Sequence, residues 1–294
     1  MKLAAWVSVS DLVPQQKTFF EGFVLGKFIK QSIFSQKNPS EVLLTLKKSG
    51  VNGIELLLSS NASDNDLERI NQMIRKLNMH IFSIHQPLSI LFDIKISKIE
   101  NLCQIAKKLG AKVLVLHINV IGNQIFDKEY NRAVKTLEKK YDIEIGIENS
   151  PKSILTIFNS YCWQENKFSK LIRENDLNIT FDTTHLAQAA AASDSVENDI
   201  INFYKNNKER IVNIHLSDYK KHFLNTHLFL ANYTHLPLDS GQLPIKEFLQ
   251  ILKQTNYDGL ITMEINGNLE ELCKSAEFIK SIVSPIHLLS QLLQ

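Results

Sequence analysis

Short apolar runs alternate along this chain with longer segments in which apolar residues recur every three or four positions. Eight runs have the composition of β-strands and about the usual five to seven residues; they span residues 2–8, 53–58, 80–85, 112–118, 143–149, 178–182, 211–217 and 260–265. Eight segments have the helical period; they span residues 40–49, 66–77, 97–109, 128–140, 167–174, 196–206, 245–254 and 269–282. Ser40 is predicted to cap the first of these helices, directly after Pro39.

Strands and helices that alternate in this way predict β-α-β units with parallel strands and right-handed crossovers. Eight such units in 294 residues, with no linker rich in Pro, Gly or Ser, favour one closed (β/α)8 TIM barrel over an open sheet. We therefore expect an α/β fold with a single domain that spans residues 1–294.

Two segments, 10–38 and 218–244, are long for barrel loops. Each follows a predicted strand, so both are expected at the carboxyl face of the barrel, where barrel active sites lie. The first carries five phenylalanines, Phe19, Phe20, Phe23, Phe28 and Phe34. It is interpreted either as a helical lid over the site or as a subunit contact or packing insertion.

Charge and cysteine content narrow the class of protein. The formal net charge is +2, which gives no overall electrostatic footprint for a polyanion. Cys103, Cys162 and Cys273 have no metal or redox spacing, in keeping with a reduced compartment. No run approaches the roughly 18–20 apolar residues of a membrane span, and the amino terminus lacks a signal-peptide core. We therefore expect a cytoplasmic protein that binds no membrane and for which nucleic acid is a disfavoured partner.

The ends of the predicted strands carry the candidate chemistry. Six strands finish with an ionisable residue, namely His85, His117, Glu148, Asp182, His215 and Glu264. Such a group is costly to bury unless it is paired or binds a metal. Because side chains alternate along a strand, the residues two positions earlier face the same side; they are Ser83, Val115, Gly146, Thr180, Asn213 and Thr262, and all but Val115 are small or polar. The ionisable side chains are therefore expected to converge on the barrel axis.

Three of these side chains are carboxylates with no arginine between them, and a divalent cation would remove their mutual repulsion. Glu148, Asp182, His215 and Glu264 offer three carboxylates and one imidazole nitrogen. Such a set suits one Mn²⁺, Mg²⁺ or Co²⁺ ion, with Zn²⁺ also open. A single His or Glu at a strand end would be interpreted as a satisfied core group or a salt-bridge partner. Their joint occurrence on strands five to eight favours a metal site.

The same strand ends carry a resemblance to a known family. The segments concerned are Ile84-His85-Gln86-Pro87, Leu109-Gly110-Ala111, Ile147-Glu148-Asn149, Phe181-Asp182-Thr183-Thr184-His185 and Ile214-His215-Leu216-Ser217-Asp218. They resemble the strand-end motifs of the xylose-isomerase-like TIM-barrel superfamily, which holds the sugar phosphate isomerase/epimerase proteins and the type-IV apurinic endonucleases (AP endonuclease family 2). The resemblance extends from Gly50 to Glu264, and it is specific for the superfamily but not for a substrate.

For the isomerase and epimerase branch, the resemblance implies that the four positions bind one cation and that Glu148 and Glu264 also exchange protons with a substrate carbon. His185, in D-x-x-H spacing, resembles a group that holds a substrate oxygen. Lys221, or its neighbour Lys220, is placed to contact the substrate, where the family commonly has Arg. The expected reaction is isomerisation or epimerisation of a sugar, sugar phosphate or polyol ketone through a metal-stabilised enediolate.

For the endonuclease branch, the resemblance implies further zinc ligands. His85 and His117 match positions that, with the strand-five glutamate, hold another zinc. His185 and His235 match two of three ligands to a third zinc, but Tyr233 stands where that branch has Asp. In the isomerase branch the same histidines would contact substrate, so both interpretations of these four residues stay open.

Three functions are therefore weighed. The leading one is a metal-dependent isomerase or epimerase with a small-molecule carbohydrate substrate. A phosphodiesterase that acts at abasic DNA sites is disfavoured by the near-neutral charge and the lack of loops rich in Arg and Lys. An inosose-type dehydratase or a non-catalytic sugar-binding barrel would use the same residues. A homodimer or higher homo-oligomer is left open.

Overall fold

The computed structural model describes residues 1–13, 38–87, 95–118, 127–152, 161, 163–190, 196–222 and 233–283. Within them, eight parallel strands close into a barrel in chain order. The strands are β1 (Lys2–Ser8), β2 (Gly53–Leu57), β3 (His80–His85), β4 (Val113–His117), β5 (Glu144–Glu148), β6 (Asn178–Asp182), β7 (Ile211–Leu216) and β8 (Leu260–Met263). The predicted (β/α)8 barrel is thus confirmed, and each predicted strand matches an observed one to within two residues at either end.

Helices connect the strands on the outside of the barrel. They are α1 (Val9–Leu12), α2 (Pro39–Lys48), α3 (Asp64–Lys76), α4 (Ile96–Leu109), α5 (Lys128–Tyr141), α6 (Glu165–Glu174), α7 (Thr183–Ala190), α8 (Val196–Asn207), α9 (Ile245–Gln254) and α10 (Leu269–Val283). All eight predicted helices are present, whereas α1 and α7 were not predicted. The five phenylalanines of segment 10–38 lie outside the described residues. In the described part of the chain, no helix is long and apolar enough to span a membrane.

Local capping explains where two of these helices begin. The prediction that Ser40 caps α2 is wrong, because the Asn38 side chain accepts a 3.0 Å hydrogen bond from Ser40 N. Pro39 occupies the first helical position, where its missing N–H costs nothing and its fixed φ suits the helix. At α3, Ser63 and Asp66 form a reciprocal capping box that satisfies two backbone donors.

The hydrophobic core lies between the barrel and its helices, and it settles which way the strand residues face. Phe181 on β6 packs against Phe203 of α8, with ring centroids 4.6 Å apart, and against Phe248 of α9 at 6.0 Å. Since neighbours on a strand point to opposite faces, Asp182 points into the barrel. The outward positions on the other site-bearing strands, Ile147, Ile214 and Met263, belong to the same core.

Candidate metal centre

The six strand-end residues lie at the carboxyl ends of their strands, and strand register places two pairs of them side by side. His117 pairs with Glu148 across β4 and β5, and Asp182 pairs with His215 across β6 and β7. Glu264 follows the last residue of β8 directly. The predicted convergence of these side chains therefore follows from the parallel pairing of adjacent strands.

Four of these side chains surround a common point. Glu148, Asp182, His215 and Glu264 each contribute one atom, and these atoms all lie within 4.8 Å of one another. His215 Nδ1 lies 2.8 Å from Glu264 Oε2, 3.2 Å from Glu148 Oε1 and 3.9 Å from Asp182 Oδ2. Glu264 keeps 16% side-chain exposure, whereas Glu148 keeps 1%. The group is thus buried except on the side of Glu264, which faces the mouth.

The chemistry of this group fits a divalent cation. Glu148 Oε2, Asp182 Oδ2 and Glu264 Oε2 are buried without a hydrogen-bond partner among the described residues. In the same part of the chain, the ion-pair partners of the three carboxylates are histidines. Buried charges without compensation cost several kcal/mol each, and three oxygens with one nitrogen form a donor set that Mn²⁺, Mg²⁺ or Co²⁺ accepts.

The protonation state of Glu148 and Glu264 suits the binding of a cation. Burial alone would raise both pKa values, but the positive charge of His215 and the hydrogen bonds from His185 and His215 hold the pKa of Glu148 well below its ordinary range. His235 and His215 likewise lower the pKa of Glu264 to about 2. Both glutamates are therefore ionised at neutral pH. The pKa of Asp182 shifts in the opposite direction, because burial raises it.

Two histidines contact the second oxygen of the Glu148 carboxylate. His85 Nε2 and His117 Nε2 lie 3.3 and 3.2 Å from Glu148 Oε2, with ring centroids 5.0 Å apart. Burial lowers the pKa of His117 to about 4, so its imidazole is neutral at pH 7. His85, His117 and Glu148 form a second group with the spacing of metal ligands.

A third group of side chains includes Asp182, and helix α7 places His185 in this group. Because α7 starts directly after β6, Asp182 Oδ1 accepts the backbone N–H of His185 at 2.7 Å. His185 Nδ1 lies 2.9 Å from the carbonyl oxygen of Asn149. His235 Nδ1 lies 3.1 Å from the carbonyl oxygen of Glu264, and its ring meets that of His185 edge-on at 5.4 Å. Asp182, His185 and His235 could also hold a cation.

Two residues predicted to contact substrate lie outside these three groups, and two buried amides near the groups were not predicted. Lys220 and Lys221 are both exposed, and Lys221 anchors its backbone N–H on Gln242 Oε1 at 2.7 Å. The ring of Tyr233 stacks on that of His222, with centroids 4.3 Å apart. Two buried amides that had not been singled out, Gln86 and Asn266, each have a side-chain nitrogen without a hydrogen-bond partner among the described residues. Both amides could have been found in the sequence, because Gln86 directly follows His85 and Asn266 lies two residues after Glu264.

Comparison with known proteins agrees with this geometry. A family model described as xylose isomerase-like TIM barrel matches residues 43–282. An uncharacterized protein of Methanocaldococcus jannaschii, MJ1311, is 24% identical over 245 residues, which are 80% of this chain and 72% of that protein.

Solved structures are similar in fold over most of the chain. A D-tagatose 3-epimerase-like protein matches with a TM-score of 0.61 and 16% identity, over 100% of both chains. A xylose isomerase-like TIM barrel protein from Mycobacterium smegmatis, solved in complex with magnesium, matches with a TM-score of 0.62 and 14% identity, over 83% of this chain and 88% of that one. Since the family model covers most of its length, this chain belongs to the xylose isomerase-like TIM barrel family.

Proposed function

We propose that this protein is a divalent-metal-dependent isomerase or epimerase of a small carbohydrate. The observation that carries the proposal is the meeting of three carboxylates and His215 Nδ1 around one point in the barrel mouth. Glu148, Asp182, His215 and Glu264 would hold the cation. When bound, it would supply Lewis-acid polarisation of a substrate carbonyl and counter the negative charge that develops on the carbonyl oxygen.

Glu148 and Glu264 are proposed as the acid–base pair. They come from β5 and from the end of β8, so they flank the site with β6 and β7 between them. Their lowered pKa values keep both as carboxylates at neutral pH. One carboxylate accepts the proton from the carbon next to the carbonyl as the C–H electrons move toward the oxygen. For epimerisation, the other glutamate takes up a proton from solvent and delivers it to the same carbon on the opposite face, and the first glutamate releases its proton to solvent. For isomerisation, the proton is returned to the neighbouring carbon while the hydroxyl proton moves between the two oxygens.

The histidines around this pair are proposed to hold the substrate hydroxyls. His85 and His117 lie on one side of Glu148, whereas His185 and His235 lie beside Asp182 and Glu264. Ring nitrogens can donate to or accept from hydroxyl groups, and fixed placement of the substrate is itself a large part of catalysis. A polyhydroxylated ligand matches a wall with this many hydrogen-bonding groups.

One observation favours a second candidate, a phosphodiesterase that acts at abasic DNA. The three groups of side chains with metal-ligand spacing would together accommodate three cations. However, Tyr233 supplies a phenol ring stacked on His222 where a third zinc site would need a carboxylate, and the net charge of +2 provides little attraction for DNA.

The test combines metal analysis with a proton-exchange assay. Purified protein loaded with Mn²⁺ is incubated in D₂O with a panel of ketoses and polyol ketones, and loss of the carbon-bound proton next to the carbonyl is followed by NMR. We expect about one cation per chain and exchange that stops when the cation is chelated. A protein that binds no cation, or that exchanges no proton across the panel, would refute the proposed isomerase. Incision of an abasic duplex by the zinc-loaded protein would favour the phosphodiesterase.

A further inference from the structure

A fully buried carboxylate, Glu55 on β2, lies in the barrel interior beneath the four candidate ligands. Its Oε2 atom accepts hydrogen bonds from Ser83 Oγ at 2.6 Å and from Asn213 Nδ2 at 2.8 Å. The hydroxyl of Thr262 lies 3.4 Å from the same atom and 3.1 Å from Asn213 Oδ1. Side chains from β3, β7 and β8 thus converge on a single oxygen. With the hydroxyl of Ser83 and the amide of Asn213 donating to Oε2, the carboxylate is held in one orientation.

An irregularity in the pairing of β2 with β3 lies at Glu55. Ile54 pairs with Ile81, but the next residue, Glu55, pairs with Ser83, so Phe82 is an extra residue on β3. Bulges of this kind re-aim side chains and are common next to functional sites. Here the bulge places the hydroxyl of Ser83 opposite the carboxylate of Glu55.

The second oxygen of this carboxylate contacts a candidate metal ligand. Glu55 Oε1 lies 2.9 Å from His215 Nε2, and both side chains are fully buried. Both atoms are buried and, in the described part of the chain, neither makes a hydrogen bond of normal geometry, their mutual contact included. The other ring nitrogen, Nδ1, faces Glu148 and Glu264. One nitrogen of the ring therefore faces the ligand group, and the other faces a carboxylate outside that group.

We propose that Glu55 is a positioning residue that accepts the Nε2–H proton of His215 and so reserves Nδ1 for the cation. An imidazole that ligates a metal through one nitrogen carries its proton on the other, and the partner of that proton decides which nitrogen is free. A carboxylate in this position also makes the ligating nitrogen more basic. This inference rests on the proposed function, because it presupposes a cation held by His215.

The first experiment measures affinity for Mn²⁺ alone by titration calorimetry of the metal-free protein. Removing such an outer partner typically weakens metal affinity by about 10–100-fold, and we expect Glu55→Gln to raise the dissociation constant within this range. The matched control is Glu138→Gln. Glu138 Oε1 accepts hydrogen bonds from Ile145 N and Asn178 Nδ2 at 2.8 and 2.9 Å, near the amino ends of β5 and β6. The control should bind Mn²⁺ as tightly as the unmodified protein.

The second experiment needs no variant of Glu55. Nitrogen-15 NMR of the zinc-loaded protein, with the His215 signals assigned by their loss in His215→Gln, reports which ring nitrogen carries the proton. We expect the proton on Nε2, and a proton on Nδ1 would overturn the assignment. Undiminished Mn²⁺ affinity in Glu55→Gln would overturn the inference alone. Unmodified protein that binds no cation would overturn the inference together with the proposed function.

Discussion

His215 Nδ1 lies 2.8 Å from Glu264 Oε2 in the buried part of the barrel mouth. Burial alone would lower the pKa of His215, but the carboxylates of Glu55, Glu148 and Glu264 raise it well above its ordinary value. In the metal-free protein the ring is therefore an imidazolium at neutral pH, with a carboxylate next to each nitrogen. A cation that binds through Nδ1 must displace the proton on that atom.

Binding of Mn²⁺ should accordingly release about one proton per chain at pH 7, because a metal ligand must be deprotonated. Affinity should rise with pH, since the proton competes with the cation as long as the pH is below the raised pKa of His215. Calorimetric titrations in two buffers with different ionisation enthalpies measure the proton count. Equal heats in both buffers would contradict this prediction, and His215→Gln should bind weakly without the release.

Replacement of Glu148 by Gln should abolish proton exchange with substrate while the barrel stays folded. Oε1 of this carboxylate contacts His185 and His215, and Oε2 contacts His85 and His117. Loss of a general base typically lowers the rate by about 10²–10⁴-fold, and exchange in D₂O measured by NMR would show it.

The matched control for this variant is Glu144→Gln. Glu144 is exposed at the opposite end of the same strand, so its replacement should leave exchange unchanged. Circular dichroism would establish that both variants are folded. Normal exchange by Glu148→Gln would remove this residue from the proposed acid–base pair.

The strand-end residues could be predicted from sequence because parallel pairing and two-residue alternation bring such positions together regardless of chain distance. The contact between Glu55 and His215 could not, since it joins β2 to β7 through the barrel interior, and these two strands are not neighbours in the barrel. His235 was found only through resemblance. It lies in a loop with a left-handed backbone, φ 50°, and no periodic pattern places such a residue beside His185.

The metal-free protein should lose stability as the pH rises through about 9. Burial would lower the pKa of His185, but Asp182 and Glu148 raise it to about 9. Since the folded-state pKa exceeds the unfolded value near 6.5, the protonated ring stabilises the fold fully below about pH 6.5 and progressively less up to pH 9 and beyond. The loss should reach roughly 3 kcal/mol in the free energy of unfolding.

Denaturant unfolding with a chelator present, at pH 6 and pH 10, tests this dependence. Other groups also titrate over the range, so the quantity of interest is the difference between the unmodified protein and His185→Gln. That difference should favour the unmodified protein more strongly at pH 6 than at pH 10. A difference that is the same at both values would show that His185 is not held protonated by the neighbouring carboxylates.

Asp218, which follows β7 by two residues, should control both stability and the placement of His235. Its buried carboxylate accepts backbone N–H groups from Tyr219 at 2.7 Å, Gly241 at 2.7 Å and Leu243 at 3.0 Å. Its own backbone pairs with Leu236, the residue after His235. The carboxylate thus fastens the returning loop to the end of β7.

Asp218→Asn turns one of the two carboxylate oxygens into an amide nitrogen that faces backbone donors. Hydrogen bonds to a charged group contribute about 1.5–3 kcal/mol each, so the free energy of unfolding should fall by roughly that amount. Because His235 is displaced while the four candidate ligands remain, KM for the substrate should rise more than the dissociation constant for Mn²⁺. Asp239→Asn, an exposed change in the same loop, is the control and should alter neither quantity. Equal stability of the two variants would show that the backbone pairing with Leu236 holds the loop without the carboxylate.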